Sequence, residues 1–100
     1  MAKSRSELSG VLHNLCDKVY FQPPTGGKIE YPCIVYELER TNVRFADNAP
    51  YALYDEYLIQ YITRDPDDRT RDRIIMLPLC SSERVYVNDN LYHHPFTIYW

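Results

Sequence analysis

Residues 31–65 read YPCIVYELERTNVRFADNAPYALYDEYLIQYITRD, and this stretch decides the fold because it predicts one long antiparallel hairpin. In both arms large apolar side chains recur at every second position, and β-branched and aromatic residues are frequent. The side chains that share one face are Ile34, Tyr36 and Leu38 on the first arm and Tyr57, Ile59 and Tyr61 on the second. A period of two is typical of a strand, so the two arms predict the centre of a β-sheet.

The middle of this stretch predicts the turn between the arms. Asp47 and Asn48 can hydrogen-bond their own backbone, and Pro50 cannot donate to a strand ladder. We therefore expect the turn at residues 46–50. Because residues 42–49 exceed what a tight hairpin needs, we expect a projecting loop there, and such loops often carry binding residues.

Length and composition indicate one folded domain spanning residues 1–100. The chain has 45% hydrophobic and 25% charged residues, which is ordinary usage for a globular protein. Its net charge of −3 provides no general attraction to nucleic acid or to an anionic membrane surface. Cys16, Cys33 and Cys80 are widely spaced, which favours reduced thiols over a disulfide framework. Since no apolar run approaches the ~18 residues of a membrane helix, we expect a soluble protein.

A helix is predicted at about residues 4–18. Apolar residues recur there at intervals of three and four, which places them on one helix face. These residues are Leu8, Val11, Leu12 and Leu15. Ser4 can cap the first turn, and Glu7 three positions later completes a capping-box pattern. Residues 19–22 have the composition of a short strand.

A second helix is predicted at about residues 66–77, directly after the hairpin. Asp65 fits the N-cap and Pro66 fits the first helical position. Pro78 then blocks continuation of the helix. The start and the stop of this helix are therefore both indicated by local residue types.

A C-terminal hairpin is predicted at about residues 83–100, with its turn at residues 88–90. Pro95 lacks an amide hydrogen, so we expect it at an edge or at the start of the last strand. The element order indicates an α+β fold: a mainly antiparallel sheet of four to five strands, with two helices covering one face.

No pattern in the sequence predicts catalysis, metal binding or cofactor binding. His93 and His94 are adjacent, so their side chains point to opposite faces of a strand. The acidic residues Asp65, Asp67 and Asp68 are not followed by the glycine and the distal glutamate of a calcium loop. Residues 26–28 lack the spacing of a phosphate-binding loop. We therefore expect no enzymatic activity and assign no catalytic residue, metal ligand or cofactor.

Two features of the surface are candidates for binding. Arginines that follow the long hairpin are interleaved with aspartates, which predicts a solvated, salt-bridged helix face, while contact between subunits or with phosphate stays open. A sheet covered on one side would also leave alternate tyrosines on its open face, where they would contact protein or stack on nucleic-acid bases. These tyrosines are Tyr51, Tyr54, Tyr57, Tyr61, Tyr86, Tyr92 and Tyr99. The acidic net charge favours protein, and a ring of identical subunits would cover the sheet edges.

Several ordered blocks resemble the short neck and tail completion proteins of long-tailed, siphovirus-type bacteriophages. The blocks are FQPP, YPCIVYEL, FADNAPY, YLIQYITRDPD, IIMLPLC and ERVYVNDNLYHHPFTIYW, and they extend from about Val19 to the end of the chain. The resemblance implies a tail terminator, a small α+β subunit that forms a hexameric ring at the head-proximal end of the tail tube. Such a ring stops tube polymerisation and docks the tail to the filled head.

The implied partners are further copies of the chain, the tail tube protein and the neck or head completion proteins, with DNA only passing through the lumen. The implied location is the virion, and the host cytoplasm during assembly, with no membrane contact. We expect contacts from the loop at 45–51, from the arginine segment and from the hairpin at 84–92. The candidate interface residues are Phe45, Asp47, Asn48, Tyr51, Arg69, Arg71, Arg73, Arg84, Tyr86, Asn90 and Tyr92. A head completion or stopper protein of the neck, and a single-stranded nucleic-acid binding module, stay open as alternatives.

Overall fold

The structure is a computed structural model that describes residues 4–22, 29–46 and 49–100, with the backbone alone along 42–46 and 49–54. The elements in chain order are α1 (Arg5–His13), β1 (Val19–Phe21), β2 (Cys33–Ala46), β3 (Ala49–Thr63), α2 (Thr70–Ile75), β4 (Cys80–Ser82), β5 (Tyr86–Asn88) and β6 (Leu91–Tyr99). The predicted α+β class is confirmed.

The strands form one mixed sheet. Within the described residues it has six strands in the order β1-β2-β3-β6-β4, and β5 also pairs with β6. Strand β1 is parallel to β2, whereas the other four pairings are antiparallel. The expected number of four to five strands is too low by one or two. The three residues of β4 are too few to show a period, and local pattern does not reveal pairing between distant segments.

One face of the sheet packs against both helices. Apolar residues of α1 and α2 join alternate residues of β2, β3 and β6 in a single buried cluster. The cluster consists of Leu8, Leu12, Ile34, Tyr36, Tyr57, Ile59, Tyr61, Ile74, Phe96 and Ile98. Leu38 shares the predicted face but is exposed, and it lies beyond Tyr36, the last residue of β2 that pairs with β1.

Two buried tyrosines satisfy their hydroxyls at the margin of this core. The Tyr36 hydroxyl accepts a hydrogen bond from Arg5 Nη1 at 3.2 Å, and the Tyr61 hydroxyl donates to Asp68 Oδ2. Tyr57 is buried as well. The expectation that Tyr57 and Tyr61 lie on an open face is therefore wrong, because their register places them on the helix-covered side together with Ile59.

Helix α1 begins where the capping pattern predicts and ends earlier than expected. The Ser4 side chain accepts a hydrogen bond from the Glu7 amide at 3.2 Å. The helix ends at His13 and not near residue 18. One further turn follows, in which the Leu15 and Cys16 amides both donate to the Leu12 carbonyl at 3.0 Å, and the chain then enters β1.

Helix α2 covers Thr70–Ile75, so the predicted helix at 66–77 is too long and its predicted N-cap is wrong. The Asp65 side chain instead accepts a hydrogen bond from the Asp67 amide at 2.9 Å. The Asp68 side chain accepts one from the Thr70 amide, also at 2.9 Å. These local bonds two residues apart offer the backbone an alternative to helix, which delays the start of α2.

The predicted projecting loop at 42–49 is wrong as a loop, because strand pairing continues through most of it. Phe45 lies opposite Pro50, and Ala46 lies opposite Ala49. The register shifts once near Phe45, which accommodates a proline in the ladder. The predicted turn residues Asp47 and Asn48 lie outside the described residues.

The C-terminal hairpin consists of β5, a two-residue turn and β6. Asp89 and Asn90 both have positive φ, at 52° and 62°, as a tight type I′ turn requires. Strand β6 begins at Leu91, so Pro95 lies within a strand that is paired on both sides, and its expected edge position is wrong. The Pro95 carbonyl accepts from the Glu83 amide at 2.8 Å. The nitrogen and the carbonyl of one strand residue point to the same side, so the Pro95 nitrogen also faces the gap between β4 and β5. The hydrogen bonds between β6 and β3 therefore lose no donor.

Candidate interaction surfaces

The far halves of β2 and β3 form a ribbon, defined here as residues 41–46 and 49–55. Support from β6 ends where Glu56 pairs with Tyr99 and where the Trp100 amide donates to the Asp55 carbonyl at 2.7 Å. On the other side, β1 ends opposite Tyr36. Beyond these points the two strands of the ribbon pair only with each other among the described residues. The ribbon therefore projects from the sheet as a two-stranded arm.

The base of the ribbon is held by polar contacts. Arg40 Nε lies 2.8 Å from Glu56 Oε2, and the Glu56 side chain is almost completely buried. Thr41 Oγ1 donates to Asp55 Oδ1 at 2.9 Å. A register shift between Leu38 and Arg40 lies at the same level. Because bulges increase twist and bend a strand, the shift and the ion pair together set the direction in which the ribbon leaves the sheet.

The candidate interface residues fall at two opposite ends of the molecule. Strand β3 has 15 residues, which at about 3.3 Å per residue spans roughly 50 Å, and the longest dimension of the molecule is 51 Å. Phe45 and Tyr51 lie in the ribbon at one end. Tyr92 pairs with Thr63 at the other end, and α2 follows Thr63. The predicted contact segments at 45–51 and 84–92 therefore lie at opposite ends of the molecule.

The arginines in and directly before α2 differ in whether they contact neighbouring residues of the same segment. Arg69 Nη2 lies 2.6 Å from Asp72 Oδ2, and Arg71 Nη1 donates to the Pro66 carbonyl at 3.2 Å. Arg73 is exposed. The ion pair of Arg69 fits the predicted salt-bridged helix face, and an exposed pair of this kind contributes only about 0–1 kcal/mol to stability.

The C-terminal hairpin presents a mixed aromatic and polar end. The rings of Tyr86 and His93 are stacked, with centroids 4.6 Å apart and an interplanar angle of 5°. Arg84 and Asn90 are exposed, and Tyr92 is half-buried. Stacking holds Tyr86 in one orientation while leaving it accessible to a partner.

A polar cluster links the loop before α2 to the core. Asp68 accepts hydrogen bonds from the Tyr61 hydroxyl, from Thr63 Oγ1 at 3.2 Å and from the Thr70 amide at 2.9 Å. Partial burial acts to raise the pKa of Asp68, but these hydrogen bonds outweigh it and lower the pKa. Burial, followed by the bond to Asp68, raises the pKa of Tyr61 to about 12. Near neutral pH the cluster therefore holds the Asp68 carboxylate and the neutral Tyr61 phenol. The cluster also borders an open cleft of about 440 Å³, and Arg73 lines that cleft.

A second cavity of about 240 Å³ lies between α2 and the segment that joins β4 to β5. Arg71, Glu83 and Val85 line it, together with His94. His94 is only 4% exposed, and among the described residues its Nε2 atom has no hydrogen-bond partner. Burial, with Arg71 nearby, lowers the pKa of His94, so the imidazole is neutral near pH 7.

The cysteines are held as thiols. Burial raises the pKa of Cys33 to about 12 and that of Cys80 to about 11, and burial also raises the pKa of Cys16. Thiolate is the reactive form, so these environments suppress cysteine chemistry. Within the described part of the chain, no group of three or more metal-ligating side chains comes together, and no helix there is long and apolar enough to cross a membrane.

Sequence reasoning missed a row of exposed apolar side chains around β4 and β5. Met76 is 81% exposed, Leu79 is 66% exposed and Val87 is 60% exposed, and Val85 is exposed as well. The prediction placed residues up to 77 in a helix and gave these residues no role on the surface. The signal in the sequence was the segment MLPL at residues 76–79, where two apolar residues flank a helix-ending proline.

No protein-family model, no curated protein and no solved structure matches this chain.

Proposed function

We propose that this chain is a structural virion protein that works by binding copies of itself and neighbouring virion proteins. It assembles as a ring, expected to be a hexamer, at the head-proximal end of a phage tail tube. There it ends tube polymerisation and docks the tail to the head. Its partners are the tail tube protein and the neck or head completion proteins, DNA passes through the lumen, and the host cytoplasm is the site of assembly.

The observation that carries this proposal is the ribbon. A two-stranded ribbon without further support is only marginally stable in water, so a ribbon of this length is best explained by a neighbour that completes it. Its base is held by the Arg40–Glu56 ion pair and by the bond from Thr41 to Asp55. An arm that is fixed at its base, and whose two edges pair with no other strand in the described part of the chain, is suited to a repeated protein contact. The resemblance to tail completion proteins supplies the structural role, and tail terminator is the closest role that it implies.

The nucleic-acid alternative loses two of its seven candidate tyrosines, while Tyr86 and Tyr99 are exposed. Tyr57 and Tyr61 belong to the core, so they cannot stack on bases. The opposite face of the sheet carries Glu37 and the Arg40–Glu56 ion pair, which together supply no net positive charge for phosphate. A base-stacking platform needs exposed aromatic rings and positive charge together.

The experiment mixes purified protein with tail tubes and locates bound protein by electron microscopy after gold labelling. We expect binding at one end of each tube and shorter tubes when the protein is present during polymerisation. The matched variant replaces residues 42–54 with Asn-Gly, so that a tight turn joins the paired residues Thr41 and Asp55. This variant keeps every core residue named above, and it should fold but no longer bind tube ends.

Wild-type protein that leaves tube ends bare would overturn the proposal. Binding only to the portal of the capsid would identify a head completion or stopper protein instead. Tube-end binding by the shortened variant would show that the ribbon does not make the contact.

A further inference from the structure

We propose that copies of this chain join head to tail through the two edges of the sheet. The β1 edge, Val19–Phe21, of one copy contacts the β4–β5 edge, residues 76–89, of the next copy. The inference rests on the proposed function in one respect, the closure of the chain of contacts into a ring. It assigns the subunit contact to surfaces that are separate from the ribbon.

The β4–β5 edge is the first part of the argument. Strands β4 and β5 both pair with β6, β4 at residues 96–98 and β5 at residues 91–93, so they share one edge of the sheet. Exposed apolar side chains lie in and beside these strands: Val87 in β5, Leu79 directly before β4, and Met76 at the C-cap of α2. Leu79 lies opposite Tyr99 and Val87 lies opposite Tyr92, so at about 3.3 Å per residue these two are roughly 20 Å apart along the edge. Single exposed apolar residues are ordinary, whereas a row along an unpaired edge is typical of a contact surface.

The backbone at Leu79 strengthens this assignment. Leu79 has φ of 58°, in the left-handed region where the Cβ of an L-residue crowds the following carbonyl oxygen. Its carbonyl accepts from the Tyr99 amide at 3.1 Å, which ties this conformation to the sheet. Glycine would adopt this conformation without strain. A strained leucine that is also 66% exposed indicates a position where the side chain itself is used.

The β1 edge is the complementary surface. Among the described residues, β1 pairs with β2 alone, so its outer side has no partner strand. Phe21 is 38% exposed, and its ring lies 5.1 Å from the Tyr36 ring and 4.4 Å from the Arg5 guanidinium carbon. In the β4–β5 edge two acidic residues, Glu83 and Asp89, outnumber the single basic residue Arg84. An aromatic ring with a cation at one edge therefore matches an apolar row with a net negative charge at the other.

A second copy is the occupant that satisfies both edges at once. The strand order places β1 and β4 at opposite ends of the sheet. A head-to-tail contact uses one edge from each copy and, when repeated in a closed ring, covers the β1 edge and the β4–β5 edge of every copy. A two-fold contact through the β4–β5 edge would leave the β1 edge uncovered.

The test uses one substitution at each edge, Phe21→Glu and Leu79→Glu, and measures particle mass by sedimentation with and without tail tube protein. We expect each variant alone to associate at least tenfold more weakly than wild type. An equimolar mixture of the two should form dimers and nothing larger. In that mixture the intact β4–β5 edge of Phe21→Glu meets the intact β1 edge of Leu79→Glu, and no other intact pair remains.

Two further variants separate association from folding. Leu79→Gly removes the side chain and relieves the strained φ, so it should fold like wild type and still associate at least tenfold more weakly. Gln60→Glu adds the same charge at a half-buried position of β3, which lies between β2 and β6 and therefore at neither edge, and it should associate like wild type. Circular dichroism spectra and melting curves verify that each variant is folded.

Three results would overturn the inference. The first is wild-type protein that stays monomeric with and without tail tube protein, and the second is edge variants that associate like wild type. The third is loss of association with Leu79→Glu but not with Phe21→Glu, which would indicate a two-fold contact or a foreign partner. Tube-end binding is scored in the same samples. Association through the edges without tube-end binding would refute the proposed function alone, and tube-end binding with unaffected edge variants would refute the inference alone.

Discussion

Replacing Tyr61 with phenylalanine removes one hydroxyl from the polar cluster around Asp68 and leaves the buried ring in place. The Tyr61 side chain is buried on the helix-covered face, and its hydroxyl donates to Asp68 Oδ2. In the variant, Asp68 retains the bonds from Thr63 Oγ1 and from the Thr70 amide. The substitution therefore isolates one hydrogen bond to a carboxylate without emptying the core.

We expect Tyr61→Phe to lower the free energy of unfolding at pH 7 by about 1.5 kcal/mol. Hydrogen bonds to charged groups contribute about 1.5–3 kcal/mol, and the lower end applies because solvent reaches the half-buried Asp68 carboxylate. In a domain of this size each kcal/mol lowers the melting temperature by about 4–8 °C. The melting temperature of the variant should therefore fall by roughly 6–12 °C.

The pH dependence gives a second readout. The folded-state pKa of Asp68 is lowered, so its contribution to stability is present above the unfolded pKa of about 3.9 and is lost as the pH falls through the folded value. Removing the Tyr61 hydroxyl removes one cause of that lowering. The difference in stability between wild type and variant should thus be smaller at pH 3 than at pH 7.

The assay is urea unfolding followed by circular dichroism at both pH values. Tyr86→Phe is the matched control, because Tyr86 is exposed and its loss of a hydroxyl should change stability by less than about 0.5 kcal/mol. Equal effects of Tyr61→Phe and Tyr86→Phe would refute the reasoning. So would a difference between wild type and Tyr61→Phe that does not change with pH.

Three other predictions concern the core, the first helix and the buried histidine. Ile59→Ala should lower the free energy of unfolding by about 2–5 kcal/mol, whereas Leu38→Ala on the exposed part of the same face should be nearly neutral; equal losses in urea unfolding would place the core elsewhere. Ser4→Ala should lower it by about 0.5–2 kcal/mol through loss of the N-cap, and Ser6→Ala, exposed in the same helix, serves as control in thermal melts; similar losses would contradict the cap. Burial lowers the folded pKa of His94 below about 6.5, so the stability of the wild type should fall as the pH drops from 7 to 5. His94→Gln should reduce this pH dependence, and an unfolding midpoint with the same pH profile in both proteins would contradict the prediction.

Local chemistry was enough to predict several parts of this fold. Alternation at Ile34 and Tyr36 predicted the central strands, since a period of two buries one face whatever the neighbours are. Ser4 and Glu7 predicted the start of α1, because a cap uses atoms only three residues apart. The turn at residues 88–90 was likewise readable from residues that tolerate positive φ.

Other parts depended on contacts between distant residues. The acidic residues before α2 suggested a helix start, yet Asp68 accepts hydrogen bonds from Tyr61 and Thr63 of β3, which add to the local bond from the Thr70 amide that delays the helix. Pro95 suggested a sheet edge, yet its nitrogen points between β4 and β5. In both cases the position of a second strand outweighed the local preference.

The sequence by itself determined the α+β class, the central hairpin and the cap of α1, because each depends on spacing within a few residues or on a repeated period. Only the tertiary structure decided the parallel β1–β2 pairing, the burial of Tyr57 and Tyr61, and the separation of the ribbon from the C-terminal hairpin by the length of the sheet. It alone also decided that the apolar row beside β4 stays exposed. Those features follow from which strands become neighbours, and that choice depends on burial summed over the whole chain.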